Sequence, residues 1–357
     1  MEQRKINPIG LVYSAIIALT LVLFILSIPY GTYAIFSSHL STSTPPYTYG
    51  TQIASLPVYI GLFAVSLPLS PSFGELFVSL TALFSFFIAL AFVQGGGFVR
   101  ALRSASRNGV GALLQNPLSA TIMILGATLL ATILLDLFQT SVGVSAGGLS
   151  GDPYGLLVSF TLAPLIEEVG FRFFLIGVPL FLVLLATRAD ARRMLKALWR
   201  PSSVWEGEPG EEPNEAANAS LRLLVYFLIA LSSILFGLAH YLSGAGWDIG
   251  KVSEAALDGV ALAYLYVRYG LHASIIFHWA VDFASNAFAF YGQAAFGVSW
   301  TSNSVYSVVP TLDIVILVGV PGLLYFLNLF FKRVINTRRG VTADDSNRQV
   351  DPDGVSR

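Results

Sequence analysis

Eight stretches of this chain stay apolar for the length of a membrane helix, and that feature decides what it can fold into. A span needs about 20 mostly apolar residues. Such runs lie at approximately 9–30, 74–98, 117–138, 154–187, 221–243, 252–268, 271–291 and 310–331. They are continuous rather than alternating, which argues against a β-barrel and leaves helices, the other structure that satisfies its backbone polar groups in lipid. The balance of residues agrees. Of 357 residues, 55% are hydrophobic and 11% charged, against roughly 25% charged in ordinary globular domains. That excludes a water-soluble enzyme or a nucleic-acid binder for the chain as a whole. The expectation is an all-α, multi-pass integral membrane protein of about eight transmembrane helices, placed in a prokaryotic cell membrane.

The net charge of −1 gives no sign of a polyanionic partner. The absence of cysteine removes disulfides, thiolate metal sites and a cysteine nucleophile. The first apolar run follows Arg4 and Lys5 like a signal peptide, but it is longer than the usual apolar core of about 7–15 residues. It is read as a retained helix.

Lysine and arginine placement sets the orientation. With the N-terminus inside, 18 of the 20 basic residues fall on the cytosolic side, leaving Lys251 outside and Arg172 within a span. Both termini are then cytosolic. Residues 53–70 are apolar, but they contain Pro57 and Pro68, and making them a ninth span would invert the later loops. They are read as an outside-facing interfacial or re-entrant segment. Residues 188–220 form the main cytosolic loop, with a basic first half that continues a helix and an acidic stretch at 206–215 read as disordered. The organisation expected is one polytopic domain over 1–339, with its motif-bearing core at about 150–291, and a polar cytosolic tail at 340–357.

Charged side chains at a helix centre cost roughly 2.5–3.5 kcal/mol each. This chain nevertheless places Glu167, Glu168, Arg172 and Asp282 within apolar spans, together with His240 and His278. Left unpaired, the four charges would cost on the order of 10 kcal/mol, so they must pair, neutralise or line a wet cavity. Glu168 and Arg172 are four residues apart on one helix face, and Glu167 lies about 100° round the helix from Glu168. Glu168 is therefore expected to be held ionised by Arg172, leaving Glu167 free to exchange a proton. His240 closes Phe236-Gly237-Leu238-Ala239-His240 at the end of the fifth span, and His278 and Asp282 share a face of the seventh. Two carboxylates, an arginine, two histidines and an aspartate on three helices suit activation of a water and stabilisation of an oxyanion.

Other polar residues have plainer readings. His39 sits in a Ser/Thr/Pro loop and is solvated; His272 starts a span and is interfacial. Asp136 and Asp313 reach headgroups, whereas Asp258 is deeper and could line the cavity. Gly95-Gly96-Gly97 ends a helix, since no Gly-Lys-Ser/Thr follows to cradle a phosphate.

Taken in order, Glu167-Glu168-x-x-x-Arg172, Phe236-x-x-x-His240 and His278-x-x-x-Asp282 resemble the EExxxR, FxxxH and HxxxN/D motifs of the CAAX-protease and bacteriocin-processing family of intramembrane glutamic endopeptidases. Its best-known members are the type II CAAX prenyl endopeptidases, or Ras-converting enzymes. The resemblance covers roughly residues 150–290. It implies that Glu167 is the general base, that His240 helps to position the attacking water, and that His278 and Asp282 serve the oxyanion. Glu168 and Arg172 would support the site. Position 282 is Asp where the prenyl-protein enzymes carry Asn, so Asp282 must be protonated or orient His278 as an acceptor. The resemblance implies a peptide or lipidated (CAAX-type) protein substrate, met at the lipid bilayer, and no cofactor.

Three alternatives use the same residues. Glu167, His240 and His278 could ligate Zn²⁺, although no HExxH pattern is present. A proton-coupled transporter could use them as an ion path, and a catalytically silent scaffold or immunity protein could keep them for stability.

Overall fold

Asn7 opens the first helix by accepting the Gly10 N–H at 2.8 Å, with Pro8 in the first helical position, where its missing N–H costs nothing. From there the computed structural model, which describes residues 6–206, 215–302 and 311–347, is a bundle of long helices. They are α1 (Pro8–Phe36), α2 (Phe73–Val93), α3 (Phe98–Asn108), α4 (Pro117–Ser141) and α5 (Pro153–Glu168), followed by a π-helical stretch (Val169–Gly177) leading into α6 (Val178–Ala186). After these come α7 (Ala191–Trp199), α8 (Glu215–Leu242) and α9 (Gly250–Tyr269). The next rod joins α10 (Leu271–Trp279) to α11 (Ser285–Phe296) through a second π-helical turn, and α12 (Thr311–Asn347) completes the bundle.

All eight expected spans are helical. Among the described residues, six helices are long and apolar enough to cross a membrane by length and composition. The two that fall short are α9, with Lys251, Glu254, Asp258 and Arg268, and the α10–α11 rod, with His272, His278 and Asp282. The polarity that lowers their hydropathy belongs in part to the site.

Close packing in lipid depends on small residues, because apolar burial against apolar solvent gives little drive. Gly126 of α4 and Gly319 of α12 lie against one another, so that a Cβ on Gly319 would stand 2.6 Å from the Gly126 carbonyl oxygen. The same device joins α8 to α9: a Cβ on Gly237 would lie 2.2 Å from the Val252 carbonyl. Gly237 sits between Phe236 and His240, so this contact fixes the helix end that carries the histidine.

Two expectations change, and a third gains its form. Residues 53–70, read as an interfacial or re-entrant segment rather than a span, hold β1 (Leu56–Ile60) and β2 (Phe63–Leu67), an antiparallel hairpin in the register Leu56↔Leu67 to Ile60↔Phe63. Both strands of a two-stranded sheet are edges, so Pro57 removes no ladder that the fold needs. Gly61 takes φ 58° in the two-residue turn, where a tight hairpin requires glycine. The basic segment after α6 does not continue that helix. Arg188 turns the chain at φ 57°, and Asp190 caps the new helix α7 by accepting the Arg193 N–H at 3.0 Å. His272, expected at an interface, is fully buried and stacked on Trp199 with ring centroids 5.3 Å apart.

The tail expected from residue 340 begins as helix, since α12 runs to Asn347; residues 348–357 lie outside the described residues. So does the acidic loop, except at its ends: Glu215 starts α8, and Glu206 pairs with Arg200 at 3.0 Å and with Arg268.

Candidate active site

The three motifs meet at two interruptions of helical geometry and one helix end. The α-helical part of α5 stops at Glu168, and the π-helical stretch that follows runs to Gly177, just before Pro179, which has no N–H to continue an α-ladder. On the partner rod, α10 ends at Trp279 and the second π-helical turn, Ala280–Ala284, holds Asp282. Single π-helical turns cost regular hydrogen bonding and are found often at functional sites. The third component, His240, lies two residues from the end of α8.

Glu168 is saturated. Its Oε2 faces Arg172 Nε at 3.3 Å and accepts from the Ser274 hydroxyl, while its Oε1 accepts from His278 Nδ1–H at 2.9 Å. The carboxylate and the guanidinium are both fully buried, so each depends on the other for its charge. The rest of the guanidinium lies over the Phe236 ring, 4.3 Å from its centroid, a cation–π contact, while Nη1 and Nη2 are buried with no hydrogen-bond partner among the described residues. The phenylalanine of the second motif thus braces the arginine of the first.

Glu167 is placed differently. Its Oε2 has no hydrogen-bond partner among the described residues, and His278 Nε2 is 3.8 Å away. It faces a cavity of about 560 Å³ walled also by Tyr59, His240, Trp247, His278 and Asp282. His240 Nδ1 lies 2.9 Å from the Phe236 carbonyl oxygen. A carbonyl can only accept, so this nitrogen carries the proton and Nε2 is left as an acceptor. His278 is held from both sides, with Glu168 on Nδ1 and Asp282 Oδ2 3.3 Å from Nε2.

A side lobe of about 290 Å³ leads away past His240, His278 and Asp282 toward Lys251, Asp258 and Trp300. Asp258 does line this space, and its Oδ1 accepts from Thr132 at 3.2 Å. The six residues singled out in the sequence are therefore gathered in one place. His39 is exposed and takes no part.

Two contributors escaped sequence reasoning. Ser274 could have been found, because it lies four residues before His278 on the same helix face. Tyr59 could not, since it comes from the hairpin and reaches the site only through tertiary packing. There the Gly61 N–H donates to the Gly170 carbonyl at 3.2 Å. A Cβ on Gly170 would meet the Tyr59 carbonyl oxygen and Cβ at 2.7 Å.

Among the described residues no three His, Asp or Glu side chains stand in an arrangement that could hold a metal ion. A carboxylate and an imidazole facing a polar cavity, with a second carboxylate tying down the imidazole, can move a proton to and from water.

Comparison with known proteins bears on the same segment. No curated protein and no solved structure matches the chain. Residues 150–284 match the family model described as type II CAAX prenyl endopeptidase, Rce1-like, a stretch that begins just before α5 and ends with the second π-helical turn. Residues 150–284, which carry all three motifs and every charged group of the site, are thus Rce1-like, similar to the type II CAAX prenyl endopeptidases.

Proposed function

We propose that this protein is an intramembrane glutamic endopeptidase that hydrolyses a peptide bond with a water activated by Glu167. One observation carries the reading: of two adjacent glutamates, Glu168 is consumed by Arg172, Ser274 and His278, whereas Glu167 lines the cavity and its Oε2 has no hydrogen-bond partner among the described residues. Glu167 takes a proton from the water, and the resulting hydroxide attacks the carbonyl carbon. His240, through its accepting Nε2, orients the water. His278 Nε2–H donates to the oxyanion, with Asp282 orienting the ring. When the C–N bond breaks, the proton on Glu167 passes to the departing amine, which restores the site without an acyl-enzyme.

Peptide or lipidated protein C-termini are the substrate class the family supports. The reaction is read as metal-free; activity that survives a strong chelator, in protein free of metal by elemental analysis, is the expected result.

The test is cleavage by purified protein of a mixed library of plain and C-terminally prenylated peptides, read by mass spectrometry beside Glu167→Gln. Cleavage by the wild type that is lost in the variant supports the reading. Equal cleavage by both would remove Glu167 as the base, and none by either would sink the prenyl-peptide reading.

A further inference from the structure

The cavity has a mouth, and all the loops around it belong to one end of the bundle. Tyr59, Gly61 and Leu62 of the hairpin, Leu149 and Ser150, and the turn from Ser243 to Trp247 wall it. These loops are knitted together. The Gly148 N–H donates to the Gly246 carbonyl at 3.0 Å, the Asp248 N–H to the Ala146 carbonyl at 2.9 Å, and the loop at 41–43 is hydrogen-bonded to Asp152. The opposite end is made of α3, α7 and the far ends of α6 and α9. It carries Arg100, Arg103 and Arg107, the group from Arg188 to Arg200, and Arg268.

The helices give the distance between these ends. α9 begins at the mouth beside Lys251 and ends at Arg268, 20 residues later, or about 30 Å at 1.5 Å per residue. That is the thickness of a bilayer's hydrocarbon core. Among the described residues, Lys251 is the one basic side chain at the mouth end; it is paired with Glu254 at 3.6 Å and lies over the Trp247 ring. Lysine and arginine next to spans mark the cytoplasmic face, and here they mark the end away from the mouth.

We propose that the cavity opens to the non-cytoplasmic side of the membrane, and that its substrates are peptide segments exposed there, at the termini or flanks of exported and membrane-inserted proteins. The substrate part rests on the endopeptidase reading above; the orientation does not. A C-terminus held in the cytoplasm would have to cross the bilayer to reach Glu167, whereas a segment already on the far side meets the hairpin and the Ser243–Trp247 turn directly.

The absence of cysteine makes the orientation testable without removing any background thiol. Gly148→Cys places a thiol in open space at the mouth, with nothing within 4 Å of its Cβ. Ala191→Cys does the same at the exposed start of α7. Intact cells expressing either variant are treated with a membrane-impermeant maleimide, before and after permeabilisation. The proposal expects the thiol at 148 to label in intact cells and the one at 191 only after permeabilisation; the reverse pattern overturns it.

The second arm gives the unlipidated peptide library to right-side-out and inverted membrane vesicles containing wild type or Glu167→Gln. Cleavage is expected in right-side-out vesicles, with loss in inverted ones until detergent opens them, and none with the variant. Cleavage confined to inverted vesicles overturns the proposal. If labelling is as expected but no preparation cleaves, the substrate assignment falls while the orientation stands; the endopeptidase reading is decided separately, by purified protein with the mixed plain and prenylated library.

Discussion

Glu168 Oε1 lies 2.9 Å from His278 Nδ1, and the other oxygen of the same carboxylate faces Arg172 Nε at 3.3 Å. One buried group thereby fixes the cation of its own helix and the imidazole of another. Removing its charge leaves Arg172 buried without a counter-ion, and breaking a buried pair from one side costs about 3–5 kcal/mol. Glu168→Gln is expected to lower the thermal midpoint in detergent markedly and to abolish cleavage. The double variant Glu168→Gln, Arg172→Met should regain much of the stability, because the orphaned charge is gone, but not the activity, because His278 remains unheld. A single variant as stable as the wild type would show that the pair does not matter to the fold.

Gly170 is where the hairpin touches the π-helical stretch after Glu168. A methyl group there would meet the Tyr59 carbonyl oxygen and Cβ at 2.7 Å, so the hairpin must move. Overpacking of this kind costs about 1–3 kcal/mol, and the cost falls on the docking of residues 56–67 rather than on the bundle. Gly170→Ala should therefore raise hydrogen exchange in the hairpin and raise KM for peptide, with the thermal midpoint little changed. Unaltered exchange and kinetics would mean that the hairpin has no part in binding.

The helices and the ion pair were legible in the sequence for a physical reason: both are set by local spacing. Continuous apolar runs have one solution in lipid, and an i, i+4 acid–base pair must share a face. What could not be read is whatever depends on packing between distant segments. Residues 53–70 are as apolar as a span, and their two prolines and the placement of basic residues argued against a ninth span without revealing a hairpin or its seat on Gly170. Phe236 looked like a spacing residue of its motif, and its role beneath Arg172 emerges only when α8 lies against the π-helical stretch. His272 sits near the start of its rod, where an interface was the natural reading; α7, which buries it through Trp199, arrives from a loop.

Asp152 couples acid stability to the mouth of the cavity. It caps α5 by accepting the Tyr154 N–H at 2.9 Å and anchors the 41–43 loop through the Thr42 and Ser43 N–H groups and the Ser41 hydroxyl. Partial burial pushes its carboxyl up, but these hydrogen bonds together outweigh that and hold it below its ordinary value of 3.8. The sign follows: a carboxyl depressed by folding contributes stability that is fully present above its ordinary value and is lost as pH falls through the lower folded one. Thermal midpoints measured from neutral pH downward should fall in that acid window. In Asp152→Asn, whose amide oxygen can still cap α5, the midpoint at neutral pH should fall only by the loss of the charge-assisted bonds to the 41–43 loop, and this part of its pH dependence should vanish. Parallel curves for the two proteins would count against the assignment.

Asp282 stands where the family's prenyl-protein enzymes carry asparagine, and its Oδ2 is 3.3 Å from His278 Nε2. If the carboxylate orients the ring by accepting from it, an amide oxygen in the same place can do so too, while the negative charge near the developing oxyanion disappears. Asp282→Asn is thus expected to keep cleavage, with kcat unchanged or raised, whereas Asp282→Ala should lose about 10²-fold or more in kcat, as when one donor or its support is removed from an oxyanion site. The comparison is made at saturating peptide, so that kcat is read apart from KM. Equal loss in both variants would mean that the charge itself is needed, and would move Asp282 from orienting His278 to handling the proton alongside Glu167.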